Sequence, residues 1–341
     1  MPPKNFTIAT MNLRNLQIPG GLTYRGKKTK KKEFDGKIAW TASMLKELDA
    51  DVIGFQELWH PDALEKAFKE AGLFTDYELI STLDSKGITV ALAVKRPLNV
   101  VHSKWEREVP KELILKKSEK SFQFEPDYEI DINIDNFSRA VLRANVEIEE
   151  GLNVIFYVAH LKSKLPMDIS RESYLDDDIK THRTALGAAL STIRRTAEAA
   201  GLRVILNKTL RDTDIPVVLM GDLNDSHNSV THSIITEDPS YRLFHKSRRG
   251  NRSDRGMYSV ATMQKLRSLR DVYYTYIHDG FRESLDHILV SEQFYDHSRN
   301  RIWSFEETRV LNDHIDDKKG KGYASDHGVV VSKFRYDPAD K

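Results

Sequence analysis

Two periods organise the apolar residues of this chain. Phe6 to Leu13 (FTIATMNL) reads as a first strand, with Asn12 near its end. Ile38, Ala42, Leu45 and Leu48 fall on one stripe, so Ile38 to Leu48 is expected as an amphipathic helix. Asp51 to Glu57 (DVIGFQE) is the next strand and ends in Gln56 and Glu57. Pro61 then opens a helix over Ala63 to Glu70, at a position where its missing N–H is no loss. Strands follow at Tyr77 to Ser81 and Ile88 to Val94, whereas Asn99 to Asn136 is charged and irregular and reads as a loop-rich insertion or an edge hairpin. Arg139 to Ile148 alternates at period two, as a half-buried strand does, and Asn153 to Ala159 runs directly into His160. Thr181 to Leu206 is long, Ala-rich and helical. Val217 to Met220 is a short unbroken apolar run, the pattern of a strand buried on both faces, although a buried helical segment gives the same run. Asn228 to Tyr241 is mixed. Two last strands are expected at Ser284 to Val290, containing Asp286, and at Val329 to Lys333, which Asp326 and His327 precede.

This order of hairpins with interspersed helices predicts a layered α/β sandwich and not a doubly wound parallel sheet. No repeat of solenoid period and no Pro- or Ser-rich linker divides the chain. A length of 341 residues suggests two domains. The polar residues of interest nevertheless run from Asn12 to His327 and need one another, so residues 1–341 are expected to form one catalytic domain.

Composition narrows the chemistry. Hydrophobic content of 40% and charged content of 30% describe an ordinary globular chain, and a net charge of +1 provides no global field toward nucleic acid or anionic lipid. The chain has no cysteine, which excludes disulfides, thiolate metal sites and a cysteine nucleophile. No leader is visible in MPPKNFTIATMNLRN, so the chain reads as cytoplasmic as it stands, and as secreted if a leader has been removed. Apolar runs are strand-sized, and no stable membrane association is expected. Local charge is concentrated in two basic stretches, Lys27, Lys28, Lys30, Lys31 and Lys32, and later Lys246, Arg248, Arg249, Arg252 and Arg255. Each is either a solvated loop or a contact for a phosphate backbone.

The apolar run at Val217 stops at Gly221, and Asp222, Asn224 and Asp225 follow at once. An Asx-rich turn uses the same residues. The pattern recurs, however, at Asn12, Glu57, His160, Asp286, Asp326 and His327, each a carboxylate, amide or imidazole at the end of an apolar strand or just ahead of one. Strand ends on one rim of a sheet converge on one pocket. Carboxylates with an amide oxygen suit Mg²⁺ or Mn²⁺, with Ca²⁺ also admissible, and leave two histidines for acid–base work.

The segments TMNL at Asn12, FQE at Glu57, AHLKS at His160, GDLND at Asp222 to Asp225, SLDHILVS at Asp286 and SDHG at Asp326 and His327 occur in an order that resembles the endonuclease/exonuclease/phosphatase superfamily. That is the fold of pancreatic deoxyribonuclease. The resemblance covers nearly the whole chain and is closest in motif to the non-specific, extracellular-type nucleases. It implies a four-layer α/β sandwich of two mixed sheets packed face to face, with helices outside and the site at one end. It also implies metal-dependent hydrolysis of a phosphate ester. Glu57 would be the main metal ligand, with Asn12 beside it and Asp326 joining. Asp222 would orient or deprotonate the attacking water, and Asn224 would fix it and bind phosphate. Asp286 would hold His327 charged, His160 would donate to a phosphate oxygen or the leaving group, and Arg139 (FSRAVL) would bind phosphate.

The substrate is less defined. AHLKSK resembles the secreted nucleases, and SLDH stands where abasic-site endonucleases carry RLDY. No aromatic-rich apolar hairpin is evident, which weakens a lipid-surface reading. DNA is the favoured substrate, with RNA admissible. The alternatives are a phosphatase or phosphodiesterase for a small or lipid phosphate, and a silent nucleic-acid-binding module. No protein partner can be inferred.

Overall fold

The computed structural model describes residues 5–84, 87–111, 113, 115–116, 131–211, 213–241, 255–268, 274–278, 281–316 and 323–339. β1 (Asn5–Leu16) is followed by α1 (Lys31–Leu48), β2 (Val52–Leu58), α2 (Pro61–Ala71), β3 (Tyr77–Ile80), β4 (Thr89–Lys95) and β5 (Asn99–Glu108). A small hairpin, β6 (Leu115–Lys116) and β7 (Asp131–Ile132), precedes β8 (Asn136–Glu149) and β9 (Leu152–His160). Short helices α3 (Arg171–Leu175) and α4 (Asp177–Lys180) lead into the long α5 (Arg183–Leu210). Then come β10 (Val217–Asp222), α6 (Val230–Thr236), β11 (Tyr258–Ser259), α7 (Val260–Arg267), the hairpin β12 (Tyr276–His278) and β13 (Phe281–Glu283), and β14 (Asp286–Val290). β15 (Trp303–Leu311), α8 (Asp313–Asp316) and β16 (Val329–Tyr336) close the chain.

The large strands form two six-stranded sheets, β15-β16-β1-β2-β4-β3 and β11-β14-β10-β9-β8-β5. Each is mixed, with one parallel pair, β1 with β2 and β9 with β10, among antiparallel neighbours. The sheets pack face to face through Phe6, Val52, Leu92 and Val330 on one side and Leu142, Phe156, Val218 and Ile288 on the other. Gly54 lets them close: a Cβ there would lie 2.5 Å from Met220 Sδ. Outside, α1 and α2 cover the first sheet and α5 and α6 the second, which completes the four-layer sandwich.

One local expectation is corrected and two are made definite. First, α1 begins at Lys31 and not near Ile38, so Lys31 and Lys32 stand on its first turn. The charged residues and Gly36 of KKEFDGK hide this start, and Gly36 is needed because a Cβ would lie 2.2 Å from the Tyr323 ring. Second, the opening of the 99–136 stretch takes the edge-hairpin alternative: it is a strand, β5, paired antiparallel with β8 at the sheet edge and broken by two register shifts. Third, Val230–Thr236 is a helix, with Ser229 Oγ capping His232 N–H at 3.2 Å. Lys246, Arg248, Arg249 and Arg252 lie outside the described residues; Arg255 is described, and its carbonyl accepts from Arg203 Nη2. Among the described residues no helix is long and apolar enough to cross a membrane.

Beneath the loop after β10, three histidines are packed without charge. His287 Nε2 donates to Asp225 O at 2.8 Å, and its ring lies 5.3 Å from that of His232. Burial, reinforced by His287 and His227, lowers His232 to about 3. Burial, with Lys265 and His287 nearby, lowers His227 to about 4. The unfolded chain takes up protons from about pH 6.5 downward, where these folded groups do not. Stability therefore falls as pH drops from about 6.5 toward about 4. His232→Gln is expected to flatten that loss by on the order of 1–2 kcal/mol in urea titrations between about pH 6.5 and 4.5. An unchanged slope would show that His232 does not titrate with unfolding.

Candidate active site

Register assembles the first part of the site. In the second sheet Asp222 pairs with His160 on one side and with Asp286 on the other, so three strand ends set imidazole, carboxylate and carboxylate in one row. Gly221, just before Asp222, has φ 139°, and a Cβ there would fall 2.0 Å from Ala159 O. No other residue fits this approach of β10 to β9, and the approach carries Asp222 to 3.5 Å from His160 Nε2.

The first sheet supplies the facing wall. β1 and β2 each break register near their ends, between Asn12 and Leu16 and between Phe55 and Leu58. Arg14, Asn15 and Glu57 take positive φ there. Lys37 from α1 donates to Arg14 O and Asn15 O and holds the first bulge. Asn12 Nδ2 crosses between the sheets to Asp222 Oδ2 at 3.1 Å, while its Oδ1 accepts from Arg14 N at 2.9 Å. The same side chain hydrogen-bonds Glu57. Asp222 Oδ1 accepts from Asn224 N at 2.9 Å, and Asn224 Nδ2 donates to Leu161 O at 3.0 Å.

The segment before β16 adds His327. Its Nδ1 donates to Asp286 Oδ2 at 2.8 Å, and its Nε2 lies 4.0 Å from Asp222 Oδ2. Asp326 pairs with Arg14 at 3.5 Å. Arg139 Nη1 donates to Leu161 O at 2.9 Å and Nη2 approaches the Tyr24 hydroxyl at 3.4 Å. The result is a cleft of about 880 Å³ lined by Glu57, Arg139, His160, Asp222, Asn224, Asp326 and His327 among others. Asn12 and Asp286 stand behind its wall.

The buried groups take complementary charge states. Burial pushes Asp222 up to about 7; the positive His327 restrains the rise and Asp286 adds to it. Burial opposes a charge on His327, but the Asp286 carboxylate and its hydrogen bond, with Asp222 and Asp326, outweigh it and raise the imidazole to about 10. Burial, followed by the positive charges of Arg139, His327 and Lys162, keeps His160 well below its ordinary value. The pocket therefore holds one imidazolium, one neutral imidazole and a carboxylate that titrates near neutrality.

Two overlapping groups of side chains have metal-ligand spacing, Glu57–His160–Asp222 and Asp222–Asp286–His327, with ligand atoms within 4.8 Å of one another in each. The oxygen donors of the first group fit a hard divalent cation. Burial raises Glu57; His327 and Arg139 restrain the rise, and Asp326 adds to it. A cation on Glu57 would relieve that. Asn12 presents amide nitrogen to the carboxylates, because its oxygen is held by Arg14 N. It therefore braces Glu57 and Asp222 in this arrangement. His160 Nδ1 and Asp286 Oδ1 are buried and have no hydrogen-bond partner among the described residues.

Sequence reasoning missed the bracket around His327. Thr275 Oγ1 accepts from Leu285 N at 2.8 Å and Asp286 N at 3.2 Å, and Thr275 O accepts from Gly328 N at 2.7 Å. The Tyr276 ring lies 4.9 Å from the His327 ring. Tyr276 belongs to a hairpin with Phe281, whose side chain is 75% exposed. Its strands are too short to show a period. The cluster of aromatics in YYTYIHDGF was the available signal.

This architecture defines a deoxyribonuclease-like α/β sandwich with a polar cleft at one rim. The model described as "Endonuclease/Exonuclease/phosphatase family" matches residues 122–327, and the chain belongs to that family. It is by family a phosphoric ester hydrolase, in a group of enzymes that use divalent metals. No curated protein matches the chain. Among solved structures, D. rerio TDP2 humanized by 14 mutations is 15% identical over 98% of this chain and 100% of that one, with a TM-score of 0.57. D. rerio TDP2 complexed with single-strand DNA product is 14% identical over 98% and 100%, with a TM-score of 0.56. The human Nocturnin catalytic domain with bound sulfate is 14% identical over 99% and 97%, with a TM-score of 0.55. At such identities the likeness shows the fold alone.

Gly221→Ala is expected to cost about 3 kcal/mol in urea unfolding, the combined scale of backbone strain and overpacking. A loss below about 1 kcal/mol would mean that β10 and β9 can part at this point without consequence.

Proposed function

We propose that the chain, acting as one catalytic domain, is a divalent-metal-dependent phosphodiesterase and specifically a nuclease, with DNA the favoured substrate and Mg²⁺ or Mn²⁺ the cation. The observation that carries this reading is geometric: strand register sets His160, Asp222 and Asp286 in one buried row, and His327 closes it with Nδ1 on Asp286 and Nε2 4.0 Å from Asp222.

Asp222, pushed to about 7 by burial, takes a proton from the attacking water, a task for which a base near the working pH is best suited. Asn12 Nδ2 and the Asn224 N–H fix its two oxygens in place. Asn224 also faces the cleft, where it orients water and phosphate. His327, held charged by Asp286, faces the charge that develops on the phosphoryl oxygens. Neutral His160 donates a hydrogen bond to a phosphate oxygen or the leaving oxygen, and Arg139, which donates to the neighbouring Leu161 O, binds phosphate. Glu57, with Asp326 nearby, would hold the cation, which supplies charge neutralisation and orientation of the diester. The family and the cleft's cations, Arg14, Arg139, Lys162 and Lys164, support a polyanionic substrate.

The exposed Phe281 hairpin favours a second reading, a diester or monoester at a lipid surface. Supercoiled plasmid, linear DNA, RNA, a chromogenic phosphate diester and a monoester, each with and without EDTA, separate the two. Nicking that EDTA abolishes is the expected result; turnover of monoester alone overturns the nuclease. Asp222→Asn, His160→Ala and His327→Ala are each expected to lose at least about 100-fold in rate with the fold retained. Near-normal turnover in a stably folded variant removes that residue from the mechanism.

A further inference from the structure

One face of α5 grips the segment that follows His160. Gly187, Ser191, Arg195 and Glu198 recur at helical spacing, and all are buried although α5 exposes much of its N-terminal half. Each meets the backbone of residues 162–167. Met167 N donates to Gly187 O at 3.0 Å, and a Cβ on Gly187 would lie 2.2 Å from Met167 O. Ser191 Oγ donates to Leu165 O. Arg195 Nη1 reaches Lys162 O at 3.5 Å while its Nε donates to Asp225 Oδ2 at 3.2 Å. Glu198 Oε2 accepts from Lys162 N at 2.9 Å.

Glu198 does more than its neighbours on that face. Its other oxygen accepts from Ser138 N at 2.7 Å, from Ser138 Oγ, and from Arg194 Nε at 3.0 Å. Ser138 precedes Arg139, and Arg139 in turn donates to Leu161 O, next to Lys162. One fully buried carboxylate thus ties α5 to both segments that bring cations to this lip of the cleft, β8 with Arg139 and the strap with Lys162 and Lys164. A carboxylate carried into a helix–sheet interface is unfavourable unless its hydrogen bonds are met, and here backbone N–H groups of both segments meet them. Burial and then the Arg139 charge lower Lys162, and the Glu198 carboxylate opposes that. None of Glu57, Asp222 or His327 is bonded to Glu198.

We propose that Glu198 is a positioning residue for phosphate binding: it sets Arg139 and the Lys162–Lys164 strap at the distance that receives a phosphodiester. The proposal rests on the phosphodiesterase reading for its substrate, but its central test does not require turnover. Affinity for inorganic phosphate is measured by calorimetry on the full chain with Mg²⁺, alongside KM and kcat for a chromogenic phosphate diester. Glu198→Gln keeps the shape but replaces one acceptor by a donor facing an N–H. It is expected to weaken phosphate binding and raise KM by about 5- to 20-fold while kcat changes less than about 3-fold, the signature of lost binding common to ground and transition states. Arg139→Ala is expected to weaken phosphate binding strongly in the natural chain and several-fold less in the Glu198→Gln background, because the arginine is already displaced.

Gly187→Ala pushes the same strap from its other end without removing a polar group. It should also weaken phosphate binding by about 3- to 10-fold, and it stands in if the glutamate variant does not fold. Unchanged phosphate affinity in either folded variant, or an Arg139→Ala effect equal in both backgrounds, overturns the proposal, as does absence of phosphate binding by the natural chain. Phosphate binding that depends on Glu198 in a protein that turns over no diester would leave the proposal standing and sink the phosphodiesterase reading.

Discussion

A buried carboxylate, Asp222, is the constraint around which this molecule closes. It is 1% exposed at the end of a central strand, and each neighbour answers the cost of placing it there. Asn12 reaches it from the opposite sheet, Asn224 turns back to cap it, and His160 and Asp286 flank it in register. His327 supplies positive charge nearby, itself made possible by Asp286. Removing one member of such a set leaves the others unsatisfied, which is why these groups are better regarded as one interacting unit.

The same constraint links fold to chemistry. The two sheets meet through apolar faces, but at the rim that contact gives way to the polar bridge from Asn12 to Asp222. Bulges at the ends of β1 and β2 turn Glu57 into the space that the bridge opens. Lys37 and the Asp326–Arg14 pair secure this half, as Glu198 and Thr275 secure the other two edges. The cleft is thus enclosed by parts of the chain that the sheets alone would not hold at a common distance.

Much of this was legible in the residues themselves. Strand periodicity located β1, β2, β8, β9, β10, β14 and β16, and a polar residue at one end of an apolar run singled out Asn12, Glu57, His160, Asp222 and Asp286. The start of α1 was not legible, because charged residues and Gly36 read locally as a loop while the glycine answers to Tyr323, far along the chain. Thr275 and Tyr276 lie beside strands of three residues, too short to show any alternation. Nothing in the sequence singles out Glu198 within its Ala-rich helix, since its partners Ser138 and Lys162 lie on or beside other strands.

By itself, then, the order of residues determined the layered sandwich, its family and the chemical types that gather at its rim, because periodicity and motif order are local properties of a chain. Tertiary structure alone decided which atoms face one another. The row of His160, Asp222 and Asp286 is a matter of register between strands, and the orientation of Asn12 follows from a bulge. The different charge states of His160 and His327 come from burial and from fields summed over groups on many elements. Such sums depend on distance in space, and sequence separation carries no information about that distance until the sheets have packed.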